Sequence, residues 1–293
     1  MRLLIDTDTA SDDAVALLLA LRAPGVVVDA ITVVAGNVEV EQGVQNALYT
    51  VDLAGAATPV YAGRTGTTEL GHAVHGRDGM GDIGLPLSGR EPAPGDAVDA
   101  LERLIRDAPG EHTLVTLGPL TNVAGLLERG VGRLLRRIVI MGGTSDDVGN
   151  VAPHAEYNVW ADRDAAAAVF ASGAPITMVG WDISRKHAVI TPADQEELRA
   201  LGPLGAFAVD IQKTLIEFCR TRTKLDGFDL PDPIAMAVAL DPRVATQTIR
   251  TRVVVDPETA QTVLDVGGEP QVDVVVDASR ERFVALLRDA LRG

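Results

Sequence analysis

Asp6, Asp8, Asp12 and Asp13 crowd into the stretch DTDTASDD, directly after the apolar Leu3-Leu4-Ile5. Carboxylates this close repel one another unless a cation neutralises them. A helix cap and a favourable dipole account for one or two acidic residues ahead of an apolar helix, but not for four. Oxygen donors without His or Cys among them suit Ca²⁺ or Mg²⁺ rather than zinc. Elsewhere the candidates are sparser. His72 and His75 stand three apart with no further His or Cys nearby, too few ligands for zinc. Glu156 and Asn158 stand two apart, which on an extended segment puts both side chains on one face. Trp181 either stacks on a flat ligand or packs over the sheet edge. His112, His154 and His187 read as structural or surface residues.

The elements that must position these groups alternate from the first residue. Apolar runs at Arg2–Asp6, Val27–Val34, Pro59–Ala62, His112–Leu117, Arg137–Met141 and Ile176–Gly180 have strand length. Helical patterns fall between them at 12–22, 42–53, 96–107, 120–128 and 163–171, then at 193–201, 204–220 and 234–240. Near-continuous apolar strands separated by helices predict an α/β fold: a single-domain, open, mostly parallel sheet with helices on both faces. The tail differs, with strands at 250–255, 262–266 and 272–276 and a closing helix at 280–291, so a C-terminal antiparallel addition is expected. The Gly-rich stretch 63–94 reads as a functional loop within one domain spanning 1–293. In such a sheet, ligands bind beyond the carboxyl ends of the strands, which is where Asp8 falls.

Composition narrows the partners. A formal net charge of −15 repels phosphate backbones and anionic membranes, which argues against a nucleic acid polymer or a membrane as partner but not against an uncharged small molecule. Cys219 is the single cysteine, so neither an intrachain disulfide nor a Cys-based zinc site is expected. Without a signal-peptide pattern or a run long enough to span a bilayer, a cytoplasmic location is expected.

Beyond the acidic run, an ordered set of motifs resembles the inosine-uridine-preferring nucleoside hydrolase family. Its signature Asp-x-Asp-x-x-x-Asp-Asp is matched at Asp6–Asp13, and VVAGN follows at Val33–Asn37 with Gln45-Asn46-Ala47 behind it. HGRDGMG at His75–Gly81, LGPLTNVA at Leu117–Ala124, IMGG at Ile140–Gly143, GNVAPHAEYN at Gly149–Asn158 and LPDPIA at Leu230–Ala235 complete the series. The resemblance implies the Rossmann-like nucleoside hydrolase fold, a small-molecule ribonucleoside as substrate, a homodimer or homotetramer, and Ca²⁺ as cofactor. It implies that Asp8, Asp13, the Leu117 carbonyl and Asp232 ligate the metal, with Asp8 also the general base toward a water held there. Asp12, Asn37, His75, Asn150, Glu156 and Asn158 would bind substrate. The reaction it implies is hydrolysis of the N-glycosidic bond to ribose and free base, through an oxocarbenium-like transition state that an acidic pocket favours.

One position departs from the pattern. Family members commonly carry His immediately before the last metal-binding Asp, as an acid for the leaving base; here Pro231 stands there, and 218–228 lacks the tyrosines often found in that segment. His75, or a water held by Arg222 or Lys224, is a substitute to be tested. The departure keeps alive a non-catalytic ribose- or nucleoside-binding protein, or a hydrolase of an unusual N-riboside, on the same scaffold. The Asp-x-Asp of haloacid-dehalogenase-type phosphatases is a remote rival: it expects Thr or Val where Ala10 stands and gives no reason for Asp12-Asp13.

Overall fold

The computed structural model describes residues 1–66, 71–87 and 89–292. Its strands are β1 (Arg2–Thr7), β2 (Val27–Val33), β3 (Val60–Ala62), β4 (His112–Thr116), β5 (Arg137–Met141), β6 (Ile176–Val179), β7 (Val189–Ile190), β8 (Phe228–Asp229), β9 (Ala245–Val255), β10 (Thr262–Asp265) and β11 (Val272–Ala278). Nine of these form one sheet in the order β10-β9-β11-β6-β5-β4-β1-β2-β3, and β7 pairs with β8 apart from it. From β3 across to β11 every pairing is parallel; β9 is antiparallel to both β11 and β10. The expected antiparallel addition is therefore an extension of the main sheet.

Alternation along the strands explains the two covered faces. Leu3 and Ile5 of β1 join one apolar cluster with Val139 and Met141 of β5, while Leu4, Ile138 and Ile140 join the other. The first cluster is closed by helices Ser11–Arg22, Val40–Leu53, Pro231–Leu240 and Arg280–Leu291, the second by Ala97–Asp107, Thr121–Leu127 and Arg163–Ala171. Because β1 to β6 run parallel, their carboxyl ends share one edge, and the loops after β1, β2, β4, β5 and β6 all open there.

Three local expectations are corrected. The helical pattern over 204–220 breaks into Pro203–Asp210, Lys213–Phe218 and a π-helical turn Cys219–Thr223. The break falls at Gln212, whose amide is bound to Ser11, and beside Ile211, whose carbonyl a Cβ on Gly81 would approach to 2.4 Å. Glu156 and Asn158 do not lie on an extended segment: Glu156 caps a short helix, Tyr157–Ala161, and Asn158 lies within it. Strand β9 begins at Ala245 rather than Arg250, its first half being polar and largely exposed, a pattern that apolar periodicity does not detect. The 63–94 stretch contains a short helix at His72–His75; residues 67–70 and 88 of it lie outside the described residues.

Candidate active site

Two helix N-termini meet beyond the carboxyl end of β1. Helix Ser11–Arg22 places Asp12 and Asp13 in its first turn, and helix Pro231–Leu240, packed against it, does the same for Asp232. Carboxylate oxygens of Asp12, Asp13 and Asp232 lie within 4.8 Å of one another, and all three side chains are buried. The partial positive charge of both helix ends favours carboxylates there, though it is too small to balance three of them. Asp13 is braced from below: Thr7 Oγ1 donates to its Oδ1 at 2.5 Å and the Ala10 N–H to its Oδ2 at 2.8 Å. It is thus Asp13, reaching back to Ala10, that completes the start of the helix, and Asp12 is left to face the cavity.

Asp8 sits beside this trio, fully buried on the loop that follows β1. The Asn37 N–H donates to its Oδ2 at 2.5 Å, while its Oδ1 has no partner among the described residues. Gly36 and Gly118 make room for it: a Cβ on Gly36 would fall 2.0 Å from Asp8 Oδ2, and one on Gly118 3.0 Å from Oδ1. Gly118 adjoins Leu117, whose carbonyl accepts from Asn158 Nδ2 at 2.8 Å. Burial, and then the charge of Asp13, hold the Asp8 carboxyl well above the usual range. Burial and the charges of Asp12, Asp13 and Asp8 do the same to Asp232. Asp12 Oδ1 is a second buried oxygen without a hydrogen-bond partner among the described residues. Among the described residues no Lys or Arg bridges these mutually repelling carboxylates, and their unpaired buried oxygens are a donor set that could hold a cation.

Around this cluster opens a cavity of about 650 Å³. Asp12, Asn37, His75, Leu117, Asn150, Glu156, Asn158 and Asp232 all line it, so the expected binding residues are gathered at one place; Asp8 and Asp13 lie just beneath. Glu156 accepts from Asn158 N through Oε1 and from Gly143 N through Oε2, both at 2.9 Å, yet burial pushes its carboxyl up to about 7. Asn158 spends its amide N–H on Leu117 and Met141, so its Oδ1 is the end left for a ligand. Asn150 is exposed at the mouth and accepts from Tyr157 N at 2.8 Å, leaving its Nδ2 available.

Composition and pattern did not reveal Ser11, Gln212 or Asp229. Ser11 Oγ donates to Gln212 Oε1 at 2.7 Å and stands 2.9 Å from His75 Nδ1. With its single proton committed, the hydroxyl accepts from His75, which makes Nδ1 the protonated nitrogen and leaves Nε2 an acceptor. Burial lowers the His75 pKa to about 4, so the ring is neutral and has no proton to spare for a leaving group. Lys224 lines the cavity, but Arg222 does not. On the far wall Trp181 donates from Nε1 to Asp229 Oδ2 at 3.1 Å, and the Arg185 guanidinium lies 4.5 Å over its ring. One face of Trp181 is therefore already stacked. No sequence signal marks Asp229, because its partners are 45 and 48 residues away.

The match to known proteins covers this whole arrangement. The family model for inosine-uridine preferring nucleoside hydrolases matches residues 3–285. The chain belongs to this family. It is 34% identical to the pyrimidine-specific ribonucleoside hydrolase RihA of Salmonella agona, across 99% of this chain and 98% of that one. Its structure is similar to that of a plant nucleoside hydrolase, PpNRh1, with a TM-score of 0.92, 32% identity and coverage of 100% and 99% of the two chains. It is also similar to a purine-preferring ribonucleoside hydrolase from Gardnerella vaginalis, with a TM-score of 0.93, 32% identity and coverage of 99% and 98%. The chain is a nucleoside hydrolase, and the family's chemistry is cleavage of the ribonucleoside N-glycosidic bond. The phosphatase alternative falls with this match. No helix among the described residues is long and apolar enough to cross a membrane.

Proposed function

We propose that this nucleoside hydrolase is calcium-dependent and that Asp8, Asp13, Asp232 and the Leu117 carbonyl hold the ion. The supporting observation is the convergence of buried carboxylates from two helix N-termini beside an Asp8 oxygen that has no hydrogen-bond partner among the described residues. Four hard oxygens, with water and sugar hydroxyls in addition, suit the six to eight ligands of calcium better than the strict octahedron of magnesium. When bound, calcium supplies positive charge that acidifies a neighbouring water and anchors the ribose diol.

The chain's own groups do the remainder. Asp8 takes a proton from the attacking water through its unsatisfied Oδ1. Asp12 Oδ1 accepts from a sugar hydroxyl, as does Asn158 Oδ1, while Asn150 Nδ2 donates toward the 5′ end. Asn37, Glu156 and His75 close the remaining sides of the sugar. As the C1′–N bond lengthens, positive charge grows on the ribosyl carbon, and a cavity walled by carboxylates stabilises it more than it stabilises the neutral substrate. Purine and pyrimidine ribosides are both within reach. A relative named pyrimidine-specific and one named purine-preferring are nearly equally similar, which leaves the base to be set by residues outside the shared sugar site.

The test is a panel of ribonucleosides and their 2′-deoxy analogues, assayed with calcium and with a chelator. Ribosides are expected to be cleaved, deoxy analogues to be poor substrates, and chelation to abolish turnover until calcium is restored. Equal rates on the deoxy compounds would remove the diol from the argument; ligand-induced stabilisation without turnover would favour the binding-protein alternative. The reading also holds the active protein to be a cytoplasmic homodimer or homotetramer, and sedimentation velocity checks the assembly.

A further inference from the structure

Cleavage of an N-glycosidic bond leaves an electron pair on the departing base, and Pro231, next to Asp232, has no proton or hydrogen bond to offer it. His75 belongs to the sugar end, bonded to Ser11 and 3.6 Å from Asp12 Oδ1. The cations among the cavity-lining residues are Arg185 and Lys224. Lys224 is exposed, with its ammonium on the Thr221 carbonyl of its own turn. Arg185 is held far more firmly. Its Nη2 donates to Asp146 Oδ2 at 2.7 Å, and its guanidinium is stacked on Trp181, which Asp229 fixes in turn. Ser184 Oγ donates to the same Asp229 oxygen at 2.8 Å, locking the first turn of helix Trp181–His187 against the segment that leads into Pro231. Of the guanidinium nitrogens, only Nη2 is engaged by an acceptor among the described residues. The side chain is still 31% exposed.

From this geometry we infer that Arg185, preorganised by Trp181, Asp229 and Asp146, is the group that stabilises the leaving nucleobase, and that it favours bases carrying a carbonyl oxygen conjugated to the departing nitrogen. The inference rests on the ribohydrolase reading above. In the step itself the C1′–N bond breaks with its electron pair passing to the base. The water oxygen forms the new bond to C1′, one water proton goes to Asp8, and the base anion takes a proton from solvent as it leaves. Arg185 transfers no proton, since a guanidinium holds its own at working pH; it donates a charge-assisted hydrogen bond to the oxygen on which the negative charge collects. A fixed donor aimed at developing charge acts mainly on the transition state and so on kcat.

Arg185→Met and Arg185→Lys test this on inosine, uridine and adenosine, and on 4-nitrophenyl β-D-ribofuranoside, whose leaving group is stable without help. For Arg185→Met, kcat on inosine and uridine is expected to fall on the order of 10²- to 10³-fold with KM little changed, as for loss of one oxyanion donor. On the aryl riboside the fall should be under about fivefold, because no donor is needed there. Arg185→Lys, which keeps the charge but not the fork, should fall between. The preference of the wild type for inosine over adenosine should collapse in Arg185→Met. Equal losses on nucleosides and aryl riboside, or nucleoside turnover that survives the substitution, would overturn the inference. A wild-type enzyme that cleaves the aryl riboside and neither inosine nor uridine would overturn it too, while leaving ribohydrolysis standing; one that cleaves none of the four sinks the underlying reading instead.

Discussion

Adding one methyl group at Gly36 should disable the enzyme while leaving it folded. The glycine has no positive φ to protect, so the effect of alanine is steric. Its Cβ would fall 2.0 Å from Asp8 Oδ2, 2.7 Å from Cγ and 2.8 Å from Cβ, where ordinary contact begins near 3.4 Å. The Asp8 carboxylate must retreat by more than an ångström. Retreat breaks the 2.5 Å hydrogen bond from Asn37 N and displaces the Oδ1 proposed to act as base. Overpacking of this kind costs about 1–3 kcal/mol of stability. Misplacing a reacting group by about 1 Å costs on the order of 10²-fold in rate. Thus Gly36→Ala should lower kcat at least a hundredfold and weaken calcium binding, with a modest drop in Tm. Gly125→Ala is the control: Gly125 lies in helix Thr121–Leu127 with its nearest neighbour, Val98, at 4.0 Å. Alanine there should raise stability by about 0.5–1 kcal/mol and leave turnover alone. Release of reducing sugar, calcium titration and thermal unfolding read all three quantities. A folded Gly36→Ala enzyme with kcat within about threefold of wild type would refute the placement of Asp8, because no base can tolerate that displacement and still act.

The remaining expectations concern charge and support. Asp232→Asn should weaken calcium binding sharply yet raise the Tm measured in chelator, since it removes one of several buried, mutually repelling carboxylates; a lower metal-free Tm would mean that the repulsion is already relieved in another way. Glu156, whose pKa burial raises from 4.5 to about 7, favours the folded state while protonated, so its contribution is complete below about pH 4.5 and is lost as pH rises through 7. Glu156→Gln should therefore flatten the pH dependence of metal-free stability across that window by up to about 3 kcal/mol, as urea titrations at pH 5 and 7.5 would reveal. Ser11→Ala orphans Gln212 Oε1 and frees His75 Nδ1, which should cost about 1–3 kcal/mol and raise KM more than it lowers kcat; an unchanged KM would separate His75 from substrate binding.

Strands β1 to β6 and the acidic run were legible because their signals are local. An apolar run of strand length followed by four aspartates needs no tertiary information to stand out, and sheet geometry then puts the loop at the ligand-binding edge. What escaped was set by distant partners. The Tyr157–Ala161 helix has too few residues for periodicity, and its cap is a glutamate, outside the usual capping set. The break at Gln212 serves a contact with Ser11, 201 residues away, which no helical pattern encodes. The partners of Arg185 and Asp229 are likewise invisible in one dimension, since a basic residue in the last turn of a helix reads as ordinary dipole compensation and Asp229 ends a strand of only two residues.

The cavity is divided by chemistry, and the division explains how one scaffold can serve different bases. At the proposed sugar end the groups are buried carboxylates and amides fixed by backbone N–H donors, so on that reading a substitution there would disturb cation, sugar and fold together. The opposite wall holds the half-buried Trp181, Arg185 and Asp229, with Trp181 bound to both of the others, beside Cys219 and Thr223 of the π-helical turn. Changes in that wall leave the ribose machinery standing. On the proposed function the base end can vary where the sugar end cannot, and Pro231 is tolerable on the same grounds: the proton donor it forgoes is needed only as far as the leaving base is poor, whereas Asp232 beside it, as a holder of the ion, would be needed for every substrate.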